Sequence, residues 1–326
     1  MAKRNNLYNE ETYKNKVNKE NKFLLDDYIL ELKSKGRSEK TIYQYSSDIK
    51  AFYCWLHDEM GNEYILDLKK RVFRRFFLML QDNGTSSARV NRFQSSIRNL
   101  LEFAVEDDDE YDYDINAMRS IKGMTGEKVR EIVFLTDEQI DLILNKLLED
   151  KKYQMALYLS LSYDSAGRRN EVHQVSKKNF LENNQTNTVT GKRGKKFALL
   201  YFKRTKEIAK LYFDQRGEDD IDSLWMSGDG GVRRERSYES LYTWVIAFRK
   251  ILDDLTGEHI EINPHAFRHS ALTNYENGTH HTLKELGKDH LPIEVLKVLA
   301  NHESISTTQD YLPNKDAELL AEAFGL

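Results

Sequence analysis

Between Pro264 and Leu312 the chain carries His265, Arg268, His302 and Tyr311. A guanidinium can grip a phosphate through paired N–H donors. Imidazoles can donate hydrogen bonds or move protons near neutral pH. A phenol can attack phosphorus and hold it covalently. Together these types point to a phosphate that is gripped and a nucleophile that attacks it. The rest of the chain must then supply more positive charge, a clamp for the phosphate's owner, and a reason for the long interval between Arg268 and His302.

At 326 residues the length suggests two domains. Apolar residues make up 40% and charged residues 31%, enough for cores beneath a well-solvated surface. With only three prolines, the chain reads as helix-rich. No apolar run is long enough for a membrane span, and the N-terminus lacks the apolar core of a signal peptide. The single cysteine, Cys54, excludes an internal disulfide and a cysteine-based zinc site. A cytoplasmic protein is expected. The net charge of −4 argues against nucleic-acid binding unless basic residues are segregated.

Residues 1–22 alternate in charge and read as a frayed or loosely helical arm. Four helices should follow over residues 23–105. Their stripes are Leu25, Tyr28, Ile29 and Leu32, then Ile42, Tyr45, Ile49, Phe52 and Leu56 behind a Ser38 cap. Val72, Phe73, Phe76, Phe77 and Leu80 give the third. Val90, Phe93, Ile97, Leu100 and Ala104 give the fourth, started by Ser86 or Ser87. Arg37, Lys40, Thr41 and Tyr43 gather near one end of the second helix, and Arg89, Arg92 and Arg98 lie in an acid-free stretch with Ser86 and Ser87. Short hydroxyls beside arginines suit phosphate contact; an ordinary solvated helix face has the same look. The block at 106–114 holds seven acids in nine positions and opens an expected linker, 106–134.

A second domain is expected over 135–326. Thr136-Asp137-Glu138-Gln139 is a capping box, followed by Ile140, Ile143, Leu144 and Leu147 at helical spacing. Residues 186–206 read as a β-hairpin with seven Lys or Arg and no acid, among them Lys192, Arg193, Lys195 and Lys196. Basic charge is therefore segregated. A short amphipathic helix is expected at 316–324, in need of a docking surface. The fold class is mainly α with a small antiparallel β-sheet.

Taken singly, HxxR is a common helix-face pair and Gly-Lys-Arg-Gly a basic turn. Jointly, the order resembles that of the tyrosine recombinases, the phage-integrase family. Ser-Ala-Gly-Arg-Arg-Asn-Glu-Val supplies Arg168 and Glu171, Gly-Lys-Arg-Gly-Lys-Lys supplies Lys192, and His-Ala-Phe-Arg supplies His265 and Arg268. Ala-Asn-His followed by Ser-Thr-Thr-Gln-Asp-Tyr supplies His302 and Tyr311. The resemblance implies a helical core-binding domain and a mixed α+β catalytic domain. It implies Arg168 and Arg268 as the phosphate clamp, Tyr311 forming a 3′-phosphotyrosyl link, and Lys192 as general acid. His265 and His302 would act on phosphate oxygens or protons, with Glu171 orienting an arginine. The implied partner is double-stranded DNA with inverted half-sites, bound by a homodimer that pairs into a tetramer; neither cofactor nor metal is required.

Three features depart from the pattern. Ala300-Asn301-His302 stands where the family usually has Leu-Gly-His, and Asp310 sets a negative charge beside the nucleophile. Residues 279–290 look like an insertion of helix and loop. His280, His281 and His290 fall in it, with no carboxylate–histidine spacing to support a metal site. Two functions are therefore expected in turn: site-specific recombination, or regulation of transcription by a recombinase-like fold that holds DNA without cutting it. The second resembles the recombinase-like lysogeny repressors of SPβ-type Bacillus phages.

Overall fold

The computed structural model describes residues 7–125, 132–228, 231–309 and 311–312. Asp310 and the helix expected at 316–324 lie outside the described residues. The chain divides into two compact units, Met1–Arg130 and Glu131–Leu326.

The first unit is all helical: α1 (Glu10–Asn15), α2 (Lys19–Ser34), α3 (Glu39–Glu59), α4 (Lys70–Asp82) and α5 (Ser87–Glu106). Ser38 caps α3 by accepting the Thr41 N–H, and Ser86 caps α5 by accepting that of Arg89. The apolar stripes of α3, α4 and α5 meet in an aromatic core where Phe52, Trp55, Phe77 and Phe93 surround Phe76, and Phe73 stacks on Phe52. Such rings bury large areas and favour tilted and edge contacts.

Two stretches differ from the expectation of loose chain. Residues 10–15 and 19–22 are helical, Val17 is buried, and Asn62 accepts the Asn18 N–H at 2.9 Å, which fastens the arm to the α3–α4 loop. The acidic segment after α5 also turns back. Tyr111 Oη donates to Asp27 at 2.5 Å, and Met118 and Ile121 enter the core of this unit. The acids of this segment face water while its few aromatic and aliphatic residues do the packing.

The second unit holds α6 (Asp137–Glu149), α7 (Tyr153–Asp164), α8 (Arg169–His173), β1 (Gln185–Thr190), β2 (Lys196–Leu200), α9 (Lys203–Arg216), β3 (Met226–Ser227), β4 (Arg234–Glu235), α10 (Leu241–Thr256), α11 (Pro264–Asn277), α12 (Thr282–Leu286), α13 (Ile293–Leu299) and α14 (Ile305–Gln309). Among the described residues there are two sheets, each two-stranded and antiparallel, β1 with β2 and β3 with β4. The Thr136 capping box starts α6.

The hairpin is shorter than its sequence reading. Pairing ends at Leu200, and Lys203, Arg204 and Lys206 belong to α9. The fully buried Asp164 carboxylate accepts the Phe202 N–H and the Thr205 hydroxyl at this helix start, so a partner distant in sequence decides where the strand ends. No helix of the described residues is long and apolar enough to cross a membrane.

Candidate functional site

Arg268 is the centre of the site. Pro264 at the first position of α11 and the Asn263 side chain, which accepts the His265 N–H, fix the start of the helix. Arg268 is then directed inward and is only 1% exposed. Its Nη1 donates to the Ala166 carbonyl at 2.6 Å, and its Nη2 donates to the Ala300 carbonyl and to His302 Nε2. Its Nε is buried without a partner, and among the described residues it forms no ion pair. Burial, then the nearby Arg168 charge, pushes its pKa down to about 10, so it stays charged at neutral pH.

These contacts fix the state of His302. A guanidinium only donates, so Nε2 carries no proton and accepts. Nδ1 then carries the hydrogen and donates to Thr308 Oγ1 at 3.0 Å. Burial and the Arg268 and Arg168 charges push this imidazole down to about 3. His302 is thus a neutral acceptor that orients Arg268. Its loop explains one departure from the family pattern: Asn301 has φ +52°, a left-handed conformation that glycine and asparagine tolerate. Asparagine is thus suited to the left-handed turn that this chain makes before His302.

Arg168 sits at the entry to α8. Glu171 accepts its backbone N–H at 2.8 Å and its Nη1 at 2.9 Å. Arg169 points elsewhere, its guanidinium 4.0 Å from the Tyr238 ring centroid. This separates the two neighbouring arginines: Arg168 faces Glu171 and Arg268, whereas Arg169 stacks on an aromatic face. Ala166 holds φ +49° in the same turn, aiming its carbonyl at Arg268. The hairpin reaches this turn through Gly191. A Cβ there would come within 2.7 Å of Phe197 and 3.2 Å of Glu171 Oε1. Lys192 follows at the tip, exposed, with no ion pair or side-chain hydrogen bond among the described residues.

Tyr311 lies over the same pocket. Its ring centroid is 5.3 Å from the Arg268 guanidinium carbon and 4.9 Å from the His302 ring. His269, one residue beyond Arg268, stacks on it at 4.3 Å and donates from Nδ1 to its carbonyl at 3.2 Å. The sequence reading passed over His269, because nothing in a helical i, i+1 step tells which neighbour faces a distant tyrosine. His265 is exposed at the helix start; partial desolvation and the Arg268 and Arg168 charges lower its pKa.

The inserted residues form a closed excursion. Leu291 N–H returns to the Tyr275 carbonyl at 2.9 Å, and a Cβ on Gly278 (φ +79°) would meet the Asp289 carbonyl at 2.5 Å. The chain therefore leaves and rejoins α11 at one place.

The remaining basic candidates divide. Arg193 pairs with Glu303 at 2.5 Å, while Lys195 and Lys196 are exposed on the hairpin. In the helical unit Arg37, Lys40 and Tyr43 are exposed, and Thr41 hydrogen-bonds Ser38. Ser86 is used as a cap, Ser87 opens α5, and Arg98 donates to the Ile121 carbonyl at 2.8 Å. Arg89 and Arg92 converge on Asp48, a carboxylate buried in the unit that also accepts from Ser96. Burial dominates at Asp48 and raises its pKa despite Arg92 and the Ser96 hydroxyl. Their first duty is to this buried acid, though each remains partly exposed.

A helical unit followed by a unit with Arg168, His265, Arg268, His302 and Tyr311 around one pocket defines an integrase-type architecture. Residues 133–318 match the phage integrase family and residues 25–108 match the phage integrase N-terminal SAM-like domain, and the chain belongs to the phage integrase family. It is 28% identical over 319 residues to the SPbeta prophage-derived recombinase-like protein YomM of Bacillus subtilis (strain 168), covering 93% of this chain and 90% of that protein. It is 27% identical over 290 residues to tyrosine recombinase XerC of Treponema denticola, covering 84% and 88%. Among solved structures, the fold is similar to a lambda integrase dimer bound to a COC′ core site, with a TM-score of 0.65 and 17% identity over 88% of this chain and 75% of that one. A lambda integrase tetramer on a Holliday junction gives 0.67 and 16%, over 90% and 77%.

Proposed function

We propose that the protein binds specific double-stranded DNA sites and recombines them through a 3′-phosphotyrosyl intermediate. The observation that carries this reading is Arg268: a buried guanidinium with no carboxylate partner among the described residues, beside Arg168 and under Tyr311. Such a charge is stabilised when an anion arrives. In the reaction Tyr311 Oη gives up its proton to solvent and bonds to phosphorus as the P–O bond to the 5′-oxygen breaks, and Lys192 gives that leaving oxygen a proton. Arg168 and Arg268 neutralise the charge that builds on the non-bridging oxygens, and His265, at the exposed rim, donates to one of them. The bond energy stays in the phosphotyrosyl link, so no nucleotide cofactor is consumed. Dimers that pair into tetramers are in keeping with the assemblies named for the lambda integrase structures, and the half-sites they hold would be inverted.

A second reading is a regulator that holds DNA without cutting it. Both terminal nitrogens of Arg268 are already engaged internally, and the similar prophage protein is described as recombinase-like. A nicked suicide duplex made from a site selected out of genomic fragments separates the two. Recombination predicts a covalent protein–DNA adduct that disappears in Tyr311→Phe. Tight, specific binding with no adduct would overturn it in favour of the regulator.

A further inference from the structure

The inserted segment builds a second histidine cluster, one that the phosphate pocket does not use. Asp164 ends α7, fully buried, with Oδ1 2.7 Å from His281 Nε2. His280 is buried and lies flat between two aromatic rings, 4.2 Å from Tyr163 and 3.7 Å from Tyr275. Its Nδ1 is 3.0 Å from Thr282 Oγ1, while its Nε2 is buried and makes no hydrogen bond of regular geometry among the described residues. One donor atom from each of Asp164, His280 and His281 lies within 4.8 Å of the others. The carboxylate that local spacing could not supply therefore comes from 116 positions before His280, brought in by the packing of α7 against α11.

We infer that Asp164, His280 and His281 form a binding site for a borderline divalent transition-metal ion such as Zn2+. Two imidazoles and a carboxylate are a donor set that such ions favour, with a further position left for water. Donors bonded to zinc at ~2.0–2.1 Å sit about 3.3 Å apart in a tetrahedron, so the cluster closes by movements of roughly 1.5 Å. His281 reaches solvent, its side chain 18% exposed, and it would make part of that movement by giving up its contact with Asp164 Oδ1 to the ion.

The charge around the cluster suits a dication. Asp137 accepts from the Tyr163 hydroxyl and the His281 N–H, and Asp141 pairs with Arg204, whose guanidinium lies 5.9 Å from the Tyr163 ring. Asp137, Asp141 and Asp164 against Arg204 leave two negative charges. The ion would clasp the inserted segment to α7, two residues before the Ala166 carbonyl that receives Arg268.

The test uses the full chain, stripped with chelator and titrated with Co2+ as a spectroscopic probe. One equivalent should bind with visible d–d absorption of low-coordinate cobalt and be displaced by Zn2+. His280→Phe keeps the aromatic sandwich and removes the donor; His281→Gln removes the other. Each should weaken binding at least 10-fold with circular dichroism unchanged, whereas His265→Gln should retain the equivalent. Absence of stoichiometric binding in the wild type, survival of binding in either cluster variant, or its loss only in His265→Gln would overturn the site.

Discussion

Two arginines of the second unit are buried almost equally, Arg216 at 4% exposed and Arg268 at 1%, yet their surroundings are opposite. Arg216 has its own carboxylate. Asp219 receives Nε at 2.6 Å and Nη2 at 2.7 Å, and the carbonyls of Ile221 and Ser223 take the remaining donors. Its pKa is raised as a result, through its bonds to Asp219. Arg268 has two carbonyls and a neutral imidazole, and its pKa falls. A buried charge that completes its own pair belongs to the structure. A buried charge given only neutral acceptors is oriented, yet its charge is left for something that arrives from outside.

This contrast can be broken most sharply by removing each arginine in turn. Arg216→Met leaves Asp219 without its bidentate partner and should cost about 3 kcal/mol, lowering Tm by about 6–12 °C. Arg268→Met loses three hydrogen bonds and also removes an uncompensated charge, so stability should change by less than about 1 kcal/mol. Adduct formation should then fall at least ~100-fold in Arg268→Met. Equal destabilisation by both substitutions, measured by urea titration, would erase the distinction.

Acid should sharpen it. His302 is held at about 3, and His265 and His269 also lie below the ordinary imidazole value. The native state therefore binds fewer protons than the unfolded chain. The stability from these groups is complete above about pH 6.5 and is lost as pH falls toward 3. His302→Asn should flatten that limb in a pH series of denaturation midpoints, and an unchanged slope would contradict the neutral assignment. The smallest effect belongs to Arg193→Ala. Its pair with Glu303 is two-thirds exposed on both sides, so Tm should move by no more than about 0.5 kcal/mol implies. DNA affinity should still drop, with a shallower salt dependence.

Much of this site is written in local pattern. The HxxR step, the basic turn at Lys192 and the Thr-Thr-Gln-Asp-Tyr run can be read without knowing any contact, because each is a short-range arrangement on one element. The helices of the first unit are legible for the same reason, through stripes at helical spacing and Ser caps. What escapes the sequence is long-range. Asp164 looks like one more polar residue at a helix end, until α9, His281 and Tyr275 are seen to gather around it. His269 is one of several residues on α11 until Tyr311 settles on its ring. Arg89 and Arg92 look like free surface charge because Asp48 lies more than forty positions away. The insertion at 279–290 looks disruptive in sequence, and only the return of Leu291 to Tyr275 shows it to be closed.

The most direct test of the central claim is anion binding at Arg268 itself. Tm is followed as sulfate replaces chloride at constant ionic strength, for the wild type and for Arg268→Met, with Arg216→Lys as a control. Sulfate strengthens burial generally, so only the difference between proteins is informative. A concentration-dependent gain is expected in the wild type and in Arg216→Lys that exceeds the gain in Arg268→Met. An identical gain in all three would show that Arg268 does not await an anion.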